Sequence, residues 1–274
     1  MTVLLACQGL TRRFGGLAAV QDVSLDFRIG EVHAVIGTNG AGKSTLINML
    51  SGELPASAGR ITLDGADITT LAQPRRAQAG IGRSYQRTTI FPEFTVHENA
   101  RLCAQARLQR PWAVWQSAAA CRLAGEAADA ALEAAGLAHE ARRPAGALSH
   151  GAKRQLEIAM CLATQPRVLL LDEPLAGMGA EETERMLALL QRLKTGHAIA
   201  LVEHDMDAVF RIADRISVMV NGQLIASDLP EAIRSNREVQ IAYLGDVAPL
   251  TPAASSPQGG AAALGRPGGH GDAH

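Results

Sequence analysis

Apolar positions recur along this chain in two rhythms. Three short runs, at residues 32–36, 168–171 and 198–202, are almost solidly apolar. They have the length of strands and no polar face, as strands covered on both sides of a parallel sheet do. Other stretches repeat with a helical period. Met186, Leu189, Leu190 and Leu193 fall at i, i+3, i+4 and i+7 within 181–194 and predict an amphipathic helix. Residues 44–50 read as a helix directly after the first solid run. Leu4-Leu5, residues 23–27 and residues 32–36, with turns between them, predict strands of one small sheet. Asp64-Gly65 predicts a tight turn or hairpin within 60–68. Residues 216–220 and 223–225 flank Asn221-Gly222, a strong hairpin signal. Residues 81–86 predict a short strand running into a loop.

After residue 95 the rhythm becomes helical. Thr95 with Glu98 three positions later is a capping box. From there to about residue 137 the chain is rich in Ala, Leu and Arg and predicts helix, with Trp112 and Trp115 within it. A second helix is expected after Ser149, through Leu156, Ile158, Ala159 and Leu162. Pro230 opens an expected last helix. From Ala248 onward Pro, Gly, Ala and Ser dominate, and a disordered tail is expected over 248–274. Strands alternating with helices imply a parallel sheet covered by helices.

The loop after the first solid run carries the chemistry. Gly37-Thr38-Asn39-Gly40-Ala41-Gly42-Lys43-Ser44-Thr45 fits G-x-x-x-x-G-K-[ST] at a strand-to-helix junction. Glycines let backbone N–H groups converge on one centre, and the helix adds the positive end of its dipole. Lys43 is expected at the β- and γ-phosphates, and Ser44 at Mg²⁺. The second solid run ends in Asp172-Glu173. Asp172 is the candidate to hold the Mg²⁺ shell. Glu173, on the other side of the strand, is the candidate to polarise water against the γ-phosphate. His204 ends the third run and could sense that phosphate. Gln86 could ligate Mg²⁺ or position water.

Composition narrows the classes. Hydrophobic residues make up 47% of the 274, enough for a sizeable core, but aromatics only 3%. Aliphatic side chains and alanine must fill it. With 26 basic and 27 acidic residues the net charge is −1, which gives no electrostatic footprint for nucleic acid. Cys7, Cys103, Cys121 and Cys161 form no C-x-x-C, so reduced thiols are expected. No apolar run approaches the roughly 18–20 residues of a membrane span. The first residues lack the basic n-region of a signal peptide, so a soluble, cytoplasmic chain is expected.

Over about residues 3–245 the chain resembles an ATP-binding-cassette ATPase. The resemblance rests on Leu148-Ser149-His150-Gly151-Ala152 shortly before the acidic strand, where the family usually has Leu-Ser-Gly-Gly-Gln. Ser149 and Gly151 match, whereas His150 and Ala152 depart. The implied fold is an α/β phosphate-loop NTPase. It has a mainly parallel sheet core, an antiparallel β subdomain and a helical subdomain inserted at about 88–162, all in one domain over 1–247. ATP and Mg²⁺ are the implied cofactors. Ser149, His150 and Gly151 would face the ATP of an opposing subunit, with Ser149 capping the helix and Gly151 allowing close approach. Phe14 resembles the aromatic that stacks on adenine. Gln86 falls at the loop linking the ATP site to the helical subdomain, and His204 at the switch position. Gly179 replaces the usual Asp of the dimer-contacting loop.

Narrower matches carry the resemblance further. Residues 14–20, Glu173-Pro174-Leu175-Ala176-Gly177-Met178, residues 202–209 and Ala242-Tyr243-Leu244-Gly245 are similar to ATPase subunits of branched-chain amino-acid importers. Urea or amide importers are the second choice. The implied partners are a second ATPase subunit, in a heterodimer or a homodimer, two permease chains and, indirectly, a periplasmic solute-binding protein. The implied location is the cytoplasmic face of the inner membrane. A soluble cassette of DNA repair or translation is the alternative from another class; long coiled-coil arms or a second cassette would mark it, and neither is visible. A non-hydrolysing nucleotide module is a third, opposed by Glu173 and His204.

Overall fold

The strands collect into two sheets, and the strands inside the second are buried on both faces. The computed structural model describes residues 2–85, 89–108 and 121–244. In the first sheet β1 (Val3–Phe14) pairs antiparallel with β2 (Leu17–Arg28) and β4 (Ala58–Leu63), and β4 with β5 (Ala66–Asp67), in the order β2-β1-β4-β5. The second sheet runs β10-β9-β3-β8-β7-β6. Here β3 (Val32–Gly37) lies between β8 (Ala198–Val202) and β9 (Arg215–Val220), parallel to both. β7 (Val168–Asp172) joins β8 to β6 (Ile81–Arg83), again in parallel, and β10 (Gln223–Asp228) is the antiparallel edge.

This division corrects one expectation. Residues 32–36 do not share a sheet with the two strands before them. β1 and β2 mix buried with exposed positions, whereas every residue of β3 is buried. A segment buried on both faces belongs in the sheet that has both faces covered. Val168, Leu170, Ala198, Ala200 and Val202 pack on the side of the antiparallel sheet and α1 (Lys43–Ser51). Leu169, Leu171, Ile199 and Leu201 pack on the opposite side, with the helical block.

That block is α3 (Val96–Leu108), α4 (Arg122–Ala135) and α5 (His150–Ala163), which pack on one another. Its contact faces are largely alanine: Ala100, Ala104, Ala124, Ala128 and Ala131 are buried. Alanine lets helices approach closely, which is how a chain poor in aromatics closes its core. The capping box forms as expected. Glu98 N–H donates to Thr95 Oγ1 (3.1 Å) and Thr95 N–H to Glu98 Oε2 (2.8 Å). Trp112, Trp115 and the tail over 248–274 lie outside the described residues.

Both turn signals form two-residue turns with positive φ at each central residue: Asp64 51° with Gly65 77°, and Asn221 48° with Gly222 80°. α2 (Gln73–Ala79) precedes β6, α6 (Ala180–Leu193) follows β7, and α7 (Met206–Ile212) follows β8. The helix opened by Pro230, α8 (Pro230–Ser235), is not the last. Asn236 Oδ1 accepts from Glu238 N–H and Val239 N–H, and this cap starts α9 (Arg237–Leu244). Among the described residues no helix is long and apolar enough to cross a membrane, and the four cysteines are free.

Candidate functional site

At the C-terminal end of β3 the chain turns through the glycine-rich loop into α1. No side chain caps α1, whose N-cap is Gly42 at φ 102°. Two glycines here are required by space. A Cβ at Gly37 would lie 2.3 Å from Met219 O, and one at Gly42 2.3 Å from Ala19 O. Lys43 curls back over the loop, its Nζ donating to Gly37 O (2.6 Å) and Thr38 O (3.1 Å). Burial lowers its pKa, against the charges of Glu173 and Asp172. A cavity of about 300 Å³ opens over the loop, lined by Asn39 to Thr45 together with Ala19, Glu173 and His204. Ser44, Thr38, Asn39 and Gly40 are exposed toward solvent.

Asp172 is the last residue of β7 and is buried. Its Oδ1 is buried without a hydrogen-bond partner among the described residues. Its Oδ2 lies 4.0 Å from Arg83 Nη2, and burial raises its pKa. A buried carboxylate oxygen with no donor is costly unless it meets a cation or water. Asp172 and the exposed Ser44 hydroxyl are therefore a donor set that fits Mg²⁺.

Glu173 reaches the cavity by a route different from the one expected. Strand alternation does not turn it, because the strand stops at Asp172. Glu173 takes φ 51°, a left-handed conformation, while its N–H donates to Val202 O (2.9 Å). Its Oε1 lies 2.6 Å from His204 Nε2. Positive φ at a residue with a long side chain is the kind of strain that concentrates at reactive sites.

Nothing in the sequence pattern singles out Glu203. It is buried, and Oε1 accepts from Leu175 N–H (2.7 Å) while Oε2 accepts from His204 N–H (3.2 Å). One carboxylate thus ties the loop after Glu173 to the strand end bearing His204. Burial pushes its pKa up to about 7.

Ser149 and Gly151 do not join this cavity. Ser149 caps α5, its Oγ accepting from Ala152 N–H (3.2 Å). With Gly151 and Glu182 it lines a separate cavity of about 220 Å³ that shares no residue with the phosphate-loop cavity. His150 turns away from that cavity toward the loop after Glu173, with Nε2 3.0 Å from Ala176 O, the arrangement of a protonated Nε2 donating to a carbonyl. Phe14 stands exposed at the end of β1 under the Arg12 guanidinium, 4.7 Å from its ring centroid, and does not line the phosphate-loop cavity. Gln86 lies outside the described residues. Both of its flanks are held by α5: Arg154 Nη1 donates to Tyr85 O (3.2 Å), and Thr89 N–H donates to Glu157 Oε1 (3.0 Å). Arg154 and Glu157 are themselves a buried pair at 2.9 Å. The helix capped by Ser149 therefore also holds Tyr85 and Thr89.

The family model described as ABC transporter matches residues 20–176, from within β2 to the loop after Glu173. The chain belongs to the ABC transporter family. It is an ATP-hydrolysing cassette. A second model, described as branched-chain amino acid ATP-binding cassette transporter, matches residues 223–249 of the cassette. The cassette is 42% identical to LivG of Salmonella typhimurium, a high-affinity branched-chain amino acid transport ATP-binding protein. That match covers 89% of this chain and 98% of LivG. It is 40% identical to BraF of Pseudomonas aeruginosa, described in the same words, with the same coverage. Among solved structures, a nucleotide-free ATP-binding cassette from an ABC transporter superposes with TM-score 0.77 at 30% identity, covering 89% of this chain and 100% of that one. The ADP conformation of MJ1267, an ATP-binding cassette of an ABC transporter, gives 0.77 at 30% identity, covering 90% and 100%.

Proposed function

We propose that this cassette is the energy-coupling ATPase of a branched-chain amino-acid importer, working at the cytoplasmic face of the membrane on two permease chains. The observation that carries the hydrolytic part is the Glu173–His204 contact at 2.6 Å on the rim of the Lys43 cavity. A carboxylate in that position accepts a proton from water attacking the terminal phosphate, and the imidazole orients it. Lys43 offsets phosphate charge, the loop's backbone N–H groups cradle it, and Phe14 offers an exposed face for adenine. Ser44, Asp172 and Gln86 would hold Mg²⁺, which supplies charge neutralisation at the phosphates.

The separation of the two cavities supports a paired arrangement. Ser149 and Gly151 line a cavity of their own, apart from the chain's own loop, so their donors serve a nucleotide held by a second ATPase subunit. Closure of such a pair pulls α5, and through Arg154 and Glu157 the segment around Gln86, against the membrane partner. Phe91 and Phe94, exposed and stacked at 5.5 Å, offer that partner an apolar contact. The substrate assignment follows the names of LivG and BraF, since no residue here touches cargo. The test is uptake by the assembled transporter in vesicles. ATP-dependent accumulation of leucine, isoleucine or valine is expected; accumulation of urea or short amides instead would overturn the substrate, and uptake of none would overturn the importer.

A further inference from the structure

The donors at the start of α5 are already engaged by an anion from the chain itself. Ser149 Oγ–H donates to Glu182 Oε1 (3.0 Å), and Gly151 N–H donates to the same oxygen (3.1 Å). The fit is close: a Cβ at Gly151 would lie 2.5 Å from Glu182 Cδ. Glu182 sits in the first turn of α6, whose N-cap, Gly179, ends the loop that begins at Glu173. These hydrogen bonds, that of Ser149 above all, hold the Glu182 pKa below its ordinary value, so it is ionised at neutral pH.

We infer that Glu182 is a competing anion: its carboxylate occupies the donors that the terminal phosphate of the partner-held nucleotide takes, and it must leave as the pair closes. The inference rests on the paired reading above. A serine hydroxyl has one hydrogen and a backbone amide one, so neither donor can serve the carboxylate and a phosphate together. Two anions at one helix start also repel. The carboxylate keeps the site satisfied while no partner nucleotide is there, which raises the ATP concentration needed for closure. Its departure also unties α6 from α5. Arrival of the partner's phosphate is thereby passed to the loop between Glu173 and Gly179, on which His150 also rests through Ala176.

The test uses the assembled transporter with hydrolysis blocked by Glu173→Gln, and reads ATP-driven approach of the two cassettes from spin-label distances. The parent is measured first; if ATP does not draw its cassettes together, the paired reading falls and takes this inference with it. If the parent closes, Glu182→Gln and Glu182→Ala should each lower the half-maximal ATP concentration about three- to tenfold, the scale of one charge-assisted hydrogen bond at a half-exposed site. A merely structural tie behaves differently. Gln would then match the parent, because its oxygen still accepts from Ser149, and Ala would need more ATP. That result, or an unchanged concentration in both variants, overturns the inference and leaves the paired reading standing.

Discussion

Arg76 of α2 is the largest fully buried side chain, and its replacement should unfold the base of the phosphate-loop helix. Its Nη1 donates to Met49 O (2.7 Å) and Leu50 O (2.9 Å), Nη2 to Thr69 O (2.8 Å) and Nε to Leu71 O (2.8 Å). Met49 and Leu50 lie in the last turn of α1, where helix carbonyls lack internal partners and carry partial negative charge. The guanidinium therefore caps α1 from the end opposite the nucleotide. Its fit also explains Gly52, where a Cβ would lie 2.8 Å from Arg76 Nε. In Arg76→Met the volume is largely refilled, but the carbonyls lose their donors. Met49 O keeps Gly52 N–H (3.2 Å), so three are stripped. At about 1–3 kcal/mol for a buried unpaired group, and less for Thr69 O and Leu71 O, which are part-buried and can meet water, the loss is bounded below about 9 kcal/mol. Regained burial of an apolar chain in place of a charged one brings it to about 3–5 kcal/mol. For a chain of this size that is a fall in Tm of about 10 °C. Thermal unfolding followed by circular dichroism measures it. A fall of less than about 3 °C would refute the claim that these four hydrogen bonds hold α1 in place.

Other outcomes follow from the site. Lys43→Ala should reduce ATP affinity of the isolated subunit at least about a hundredfold, since it removes the ammonium that lies over the loop; equilibrium binding with a fluorescent nucleotide reads this, and unchanged affinity contradicts the assignment. Glu173→Gln should bind ATP normally and lose at least about a hundredfold in turnover, measured as phosphate release. Burial lifts the Glu203 pKa from 4.5 to about 7, so the folded state holds that proton more tightly than the unfolded chain. The stability it contributes is complete below pH 4.5 and is lost as pH rises through 7, about 3 kcal/mol in all. Denaturant unfolding at pH 5 and pH 8 should show that loss in the parent and a smaller one in Glu203→Gln. Deleting residues 249–274 should leave uptake unchanged at equal subunit levels.

The nucleotide half of the site was legible because it is local. Strand, glycine loop and helix are consecutive, and each glycine is forced by a contact or a positive φ at its own position. Asp172 was legible for the same reason, at the end of a run apolar on both faces. The route taken by Glu173 was not, because strand periodicity says nothing about the residue where a strand stops. Nor was the role of Glu203, Glu182 or Arg76. Each acts on groups brought near only by folding: Leu175 N–H lies 28 positions before Glu203, Ser149 33 before Glu182, and Met49 27 before Arg76. A single charged residue on a helix looks the same in sequence whether it meets solvent or four carbonyls. The first sheet was half legible. Its strands were seen, but the run of Thr11, Arg12 and Arg13 hid that β1 continues to Phe14. The register shifts along β1 break the alternation that would have marked it.

Ser149→Arg probes most directly whether a phosphate is gripped from two sides by two subunits. Ser149 does not line the phosphate-loop cavity. ATP affinity of the isolated variant should therefore stay within about twofold of the parent. In the assembled transporter, ATP-driven closure and turnover through this half-site should fall at least about a hundredfold, as a charged side chain fills the space meant for the partner's phosphate. Normal closure and hydrolysis by Ser149→Arg, or a loss of ATP affinity already present in the isolated subunit, would contradict that two-sided grip.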